Sequence, residues 1–159
     1  MEKYEIELIE EYSNLNLYSI KIAGNEYSEF ENFVIRFSDN PLYKEDMDII
    51  LSWLDVIAQK GALERYFRPE SSFKSKVVAI PIETNKLRLY CIRLTDGVLI
   101  LGNGEVKDSD SWQNSATLSP LVRLLEDTER FILSRIKNGS LVVDNKKLIG
   151  NLKFRRKKQ

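Results

Sequence analysis

This chain of 159 residues contains no histidine and a single cysteine, Cys91. Without histidine there is no Ser-His-Asp triad, and the commonest metal ligand and general base are both missing. One thiol cannot close an internal disulfide, and it lacks the usual partner for nucleophilic catalysis. Cys91 therefore reads as a small buried strand residue, and the compartment as reducing. With 4 prolines and 7 glycines, the chain carries no low-complexity linker and no internal repeat. No apolar run approaches the ~18 residues of a membrane span. The opening MEKYEIELIEEY is acidic and has no apolar signal core, so a cytoplasmic protein is expected. No self-sufficient catalytic motif is present, and neither a metal site nor a cofactor is expected.

What is there is ordinary globular material, 43% hydrophobic and 30% charged, which predicts one domain over residues 1–159. The net charge is zero, yet it is split. Residues 1–61 hold 5 Lys+Arg against 13 Asp+Glu, a balance of −8, and residues 62–159 carry the opposite +8. The split fits an anionic partner for the second half, a basic partner for the first, or halves that neutralise each other.

Residues 4–9 and 17–23 alternate apolar and polar side chains, the period of half-buried strands. Ser28 and Glu31 form a capping box, followed by Phe30, Phe33, Val34 and Phe37 on one helical face. Asn40-Pro41 opens a second helical element. In it Met47, Ile50, Trp53, Leu54 and Ile57 keep helical spacing up to Gly61 as its stop. After a polar connection come three β-rich runs, KVVAIPIE, LRLYCIRL and VLILGNGEVK. Asp96-Gly97 between the last two signals a hairpin, since a type I′ turn needs positive φ at both central positions. Trp112 stands out in a polar loop, where it either folds back on the core or marks a partner surface. Ser119-Pro120 opens the last long helix, with Leu121, Leu124, Leu125, Phe131, Ile132, Leu133 and Ile136 as apolar positions and Gly139 as its stop. Residues 141–143 and 148–154 read as a closing hairpin. From Lys146 to Lys158 there are seven basic residues and no acidic one, either a solvated end or a phosphate-binding arm.

The predicted order is ββ-α-α-βββ-α-ββ. It describes an α+β fold, a small antiparallel three-stranded meander packed by helices. Residues 1–40 form an N-terminal ββα extension, 41–138 the core, and 139–159 a C-terminal hairpin and basic tail. Along residues 87–94, Leu87, Leu89, Cys91 and Arg93 share one face and are expected to meet the helices. Arg88, Tyr90, Ile92 and Leu94 share the other, which predicts that Arg88 and Tyr90 point together into a cleft or solvent. Basic and aromatic side chains on a small sheet suit RNA. The alternative is structural: Arg88 pairs with Glu64 or Glu83, and Tyr90 packs its ring.

The section from 43 to 136, with its three β-rich runs, resembles the RelE/ParE/HigB superfamily of toxins from bacterial toxin–antitoxin pairs. The resemblance implies a metal-independent endoribonuclease that cuts mRNA at the ribosome, uses no cofactor, and is neutralised by a helix-turn-helix antitoxin protein. In such chemistry the RNA supplies its own 2′-hydroxyl nucleophile, and the protein supplies positive charge and positioning. Arginine suits the task because its fork matches phosphate oxygens and is always charged. The resemblance implies Arg88, Lys107 and Tyr90 as catalytic residues, and Arg68, Lys74, Lys76 and Arg93 as RNA-binding ones. The chain departs from the family at Asp108, where a second lysine is common, with Glu105 and Asp110 close by. Those departures keep two alternatives open: a ParE-type toxin that binds a protein target such as gyrase, or an interaction module without activity.

Overall fold

The computed structural model describes residues 1–70, 74–81, 86–108 and 111–157. Strands β1 (Glu2–Glu11) and β2 (Asn16–Ile22) lead into helices α1 (Glu29–Phe37) and α2 (Lys44–Lys60). Then come β3 (Arg68–Pro69), β4 (Val77–Ala79), β5 (Leu87–Thr95) and β6 (Val98–Val106). Helix α3 (Leu118–Asn138) precedes β7 (Leu141–Asp144), β8 (Lys147–Gly150) and β9 (Lys153–Arg156). Among the described residues this is a mixed α+β fold with three α-helices and a mostly antiparallel sheet.

One seven-stranded sheet, in the order β3-β4-β5-β6-β2-β1-β9, organises the molecule. Among the described residues, only the β2–β6 pairing is parallel. Because of it, residues 1–40 share the sheet and both of its cores rather than sitting beside them. On one face Tyr4, Ile20, Ile92 and Ile100 pack with Leu125 and Ile132 of α3. On the other, Leu17, Leu89, Cys91 and Leu101 pack with Phe33 of α1 and with Ile50 and Ile57 of α2. Strands covered on both sides carry near-continuous apolar runs, as LYCI and VLIL do here.

Local chemistry fixes how the helices meet this sheet. Ser28 Oγ accepts from Glu31 N at 3.2 Å, and Glu31 Oε1 accepts from Ser28 N at 3.1 Å, so the capping box forms as expected. The buried Asp46 carboxylate of α2 accepts from the backbone N–H groups of Lys86 and Leu87, at 3.0 and 2.9 Å. A charged acceptor there ties the start of β5 to α2. Gly104 of β6 lies where a Cβ would sit 2.1 Å from the Arg88 carbonyl oxygen and 2.6 Å from the Phe33 ring. Only glycine lets α1 approach β6 so closely.

Several expectations change. The Asp96-Gly97 hairpin forms, but neither residue takes positive φ, so the turn is not type I′. The turn instead offers its carbonyls to Ala62 N and Asn16 N, at 2.7 and 2.9 Å. A side chain on Gly97 would meet Asn145 O and Lys146 Cβ at 3.3 Å, so its glycine serves close packing against the β7–β8 turn. The β4 strand is shorter than the run KVVAIPIE, whose Ile82 and Glu83 lie outside the described residues. The closing hairpin is β7–β8 alone, and β9 leaves it to pair with β1. Arg88 and Tyr90 do not face a cleft or solvent, because α3 covers that side of β5 and buries both. Trp112 folds back into the same core.

Candidate functional site

The pairing register builds a cluster from three distant segments. Arg68 of β3 lies opposite Ala79, which lies opposite Tyr90, so Arg68 and Tyr90 share a row on the α3-facing side. Arg88 is two residues along β5 on the same face. Glu70 follows Arg68, and its Oε1 is 3.3 Å from Arg68 Nε. Trp112 Nε1 donates to the Glu70 carbonyl oxygen at 2.7 Å, pinning the segment that carries Arg68 and Glu70. Arg88 is 6% exposed and Tyr90 2%. Arg88 Nη1 donates to the Leu87 carbonyl oxygen at 2.9 Å.

Burial shapes the electrostatics. Desolvation, and then the like charge of Arg68, lower the Arg88 pKa, while Tyr90, Glu70 and Asp46 act to raise it. Burial, and then the charge of Glu70, push the Tyr90 hydroxyl well above its ordinary value. Tyr90 thus stays protonated at neutral pH and cannot act as a base there. Burial likewise raises the Cys91 thiol, so no thiolate nucleophile forms there.

Lys107 lies at the same end of β5 and β6 as Arg88, where its N–H donates to the Lys86 carbonyl oxygen at 2.6 Å. Glu105, the register partner of Arg88, is bound 2.6 Å from Arg36 Nη1. Arg36 also donates to Asn103 Oδ1 at 2.5 Å and to the Gly104 carbonyl at 2.6 Å. The acidic turn noted in the sequence is thus partly neutralised from α1. Asp108 is exposed, and Asp110 lies outside the described residues.

Lys74, Lys76 and Arg93 belong elsewhere. They line a small groove of about 100 Å³ with Glu64 and Phe67, on the face opposite the Arg88 cluster. Arg93 is committed to structure, its Nε donating to Ala62 O at 2.8 Å and its Nη2 pairing with Asp96 at 2.5 Å. Of the seven residues expected at a site, Arg68, Arg88 and Tyr90 come together, Lys107 lies at their end of the sheet, and three form a separate group.

Two features escape a reading of the sequence. Glu70 joins the cluster, and its only signal is the two-residue step from Arg68 that puts both on one strand face. A concavity of about 760 Å³ lies between β1, β2, β9 and the end of α3. Its cations include Lys3, Lys21 and Arg135 as well as Lys153 and Arg155 of the basic tail. Among the described residues, no group of three His, Cys, Asp or Glu side chains could hold a metal ion. No helix among them is long and apolar enough to cross a membrane. Compared with family models, with curated proteins and with solved structures, the chain matches none.

Proposed function

We propose that this chain is a cytoplasmic, toxin-like protein that cuts mRNA without a metal ion or cofactor, using the Arg68, Glu70, Arg88 and Tyr90 cluster with Lys107 at its end. In this reading β4, β5 and β6 with α2 and α3 are a RelE-like core. Residues 1–40 and the strands after α3 are additions to it. A helix-turn-helix antitoxin and the ribosome with its mRNA are its partners.

The observation that carries the reading is the placement of buried Arg88 and half-exposed Arg68 on one face of the sheet, with burial and then the Arg68 charge lowering the Arg88 pKa. An anion between them relieves that repulsion, and guanidinium forks bind phosphate oxygens in two-point geometry. The 2′-oxygen of the RNA attacks the adjacent phosphorus and the bond from phosphorus to the 5′-oxygen breaks. Glu70, whose charge Tyr90 and Arg88 both sense, accepts the 2′-hydroxyl proton. Lys107 supplies a proton to the departing 5′-oxygen. Arg68, Arg88 and the Tyr90 hydroxyl stabilise charge on the phosphate. The products are a 2′,3′-cyclic phosphate and a 5′-hydroxyl.

The burial of Arg88 and Tyr90 favours a second reading, an interaction module in which the cluster is structural. Induction of the protein alone in a bacterial host, with mapping of mRNA 5′ ends, separates the two. Growth arrest with new 5′ ends is expected, lost in Arg88→Lys and in Lys107→Ala at equal soluble yield. New ends that persist in both variants contradict the site. Arrest without new ends points to a protein target, and no arrest with folded protein supports the interaction module.

A further inference from the structure

We infer that the groove between β1, β2 and β9 is a second, non-catalytic site that binds successive phosphates of a nucleic-acid strand. The reading above supplies only the choice of RNA as that strand. Five cations line the groove, Lys3, Lys21, Arg135, Lys153 and Arg155, against one carboxylate, Glu5.

The register makes the cations a lattice rather than a scatter. Lys3 lies opposite Arg155, and Glu5 lies opposite both Lys153 and Lys21, so four cations and the carboxylate share one face, while Arg135 of α3 reaches the groove from the Phe154 side. Neighbouring strands are ~4.8 Å apart and alternate residues along a strand ~6.7 Å. Positive charge is thus presented at the scale of nucleotide steps. Like charges directly opposite on adjacent strands destabilise a sheet, and Lys3 facing Arg155 is such a pair. Among the described residues Lys3, Lys21, Lys153 and Arg155 make no ion pair. Arg36, Arg93, Arg130 and Arg156 do. The groove therefore holds charge that the fold itself does not use.

The groove is also rigidly built. Arg156, on the other face of β9, pairs with Glu2 at 3.0 Å and with Asp127 of α3 at 2.8 Å. Phe154 stacks on Tyr4 with ring centroids 5.3 Å apart. Arg135 lies 4.1 Å over the Phe154 ring and donates to the Asn151 carbonyl at 2.8 Å. The basic tail is thus a fastened strand through Arg156, not a frayed arm, and the backbone that carries its outward cations is fixed before a ligand arrives. Such preorganisation lowers the cost of binding. Phosphates neutralised by Lys and Arg release counterions, which gives the interaction its salt dependence.

The test uses the full chain and a short fluorescein-labelled single-stranded RNA, with affinity read by anisotropy over a series of salt concentrations. The variant Lys21→Gln/Lys153→Gln/Arg155→Gln should bind about tenfold or more weakly, with the slope of log K against log salt shallower by about 2. Its thermal melt should match that of the parent. Glu5→Gln, which removes the groove's one carboxylate, should bind about twofold more tightly through better charge complementarity. Lys44→Gln, which removes an exposed cation of α2 outside both sites, should keep the parent's RNA affinity, and because the readout is binding alone, a failed cleavage site leaves the groove standing. Parental affinity and slope in the triple variant would overturn the proposal. So would a parent that binds phosphatidylserine vesicles but not RNA.

Discussion

In the cluster on the α3 face, Arg88 and Tyr90 are buried, and half-exposed Arg68 is met by Glu70. In the groove across β9, β1 and β2, the solvated side chains of Lys3, Lys21, Lys153 and Arg155 make no ion pair among the described residues. Both collect positive charge on the same sheet, one at each edge. Charge that is buried must be met by hydrogen bonds and counter-charges, so it becomes inseparable from the fold. Charge that stays solvated costs the fold little and remains free to meet a ligand. Substitutions in the first region should therefore move stability and chemistry together, and substitutions in the second should move binding alone.

The sharpest way to break the cluster is Gly104→Ala. Its new methyl group would lie 2.1 Å from the carbonyl oxygen of Arg88, forcing β5 and β6 apart. Overpacking against backbone should cost about 3 kcal/mol or more in urea unfolding. A loss below 1 kcal/mol (about the size of an ordinary surface effect) would mean that β6 bends freely at this point.

Next in size is Asp127→Ala, which removes the shared partner of Arg156 and Arg130. Breaking a largely buried ion pair leaves Arg156 half satisfied, for a loss of about 2 kcal/mol after allowing for partial solvation. Because Arg156 anchors β9, this variant should also weaken RNA binding, although Asp127 does not line the groove. Unchanged binding would detach the groove from its anchor.

A carboxylate drawn into the structure tests the same rule with the opposite sign. Burial raises the pKa of Glu29 above its ordinary 4.5, opposed in part by a hydrogen bond with Asn103. A raised folded-state value means that its contribution to stability is complete below pH 4.5 and is lost as pH rises through the folded pKa. Glu29→Gln removes that loss, so at neutral pH it should be more stable than the parent by about 1 kcal/mol. Thermal melts below and above the transition check the sign; a neutral-pH loss would contradict it. The smallest effect belongs to the groove, where Lys153→Gln should shift stability by less than about 0.5 kcal/mol. A larger loss in its melt would mean that this lysine is part of the fold after all.

Much of the secondary structure was legible because it depends on neighbours in the chain. The capping box at Ser28, the Gly61 and Gly139 stops and the alternation in the first two strands are local signals. The parallel β2–β6 contact is not local, and it changes what residues 1–40 are for. Nor is the packing of helices on both faces of β5 local, which is why Arg88 and Tyr90 are buried where strand alternation alone suggested exposure. Arg68, Arg88 and Tyr90 were expected from the resemblance, and the pairing register sets them near one another on one face of the sheet. Arg93 and Lys76 lie on the opposite face, where alternation along residues 87–94 already put Arg93. Lys153 and Arg155 were visible as a basic run, but their company of Lys3, Lys21 and Arg135 exists only once β9 pairs with β1. The hairpin signal at Asp96-Gly97 was right about connectivity and wrong about turn type, because tertiary packing at Gly97 outweighed local preference.

The most direct measurement incubates the purified protein with a defined single-stranded RNA in excess chelator and identifies the product termini by mass spectrometry. The account predicts 2′,3′-cyclic phosphate and 5′-hydroxyl ends, made by the parent and by the groove variant at saturating RNA, and absent with Arg88→Lys. Intact RNA under conditions where anisotropy shows the parent fully bound would contradict it.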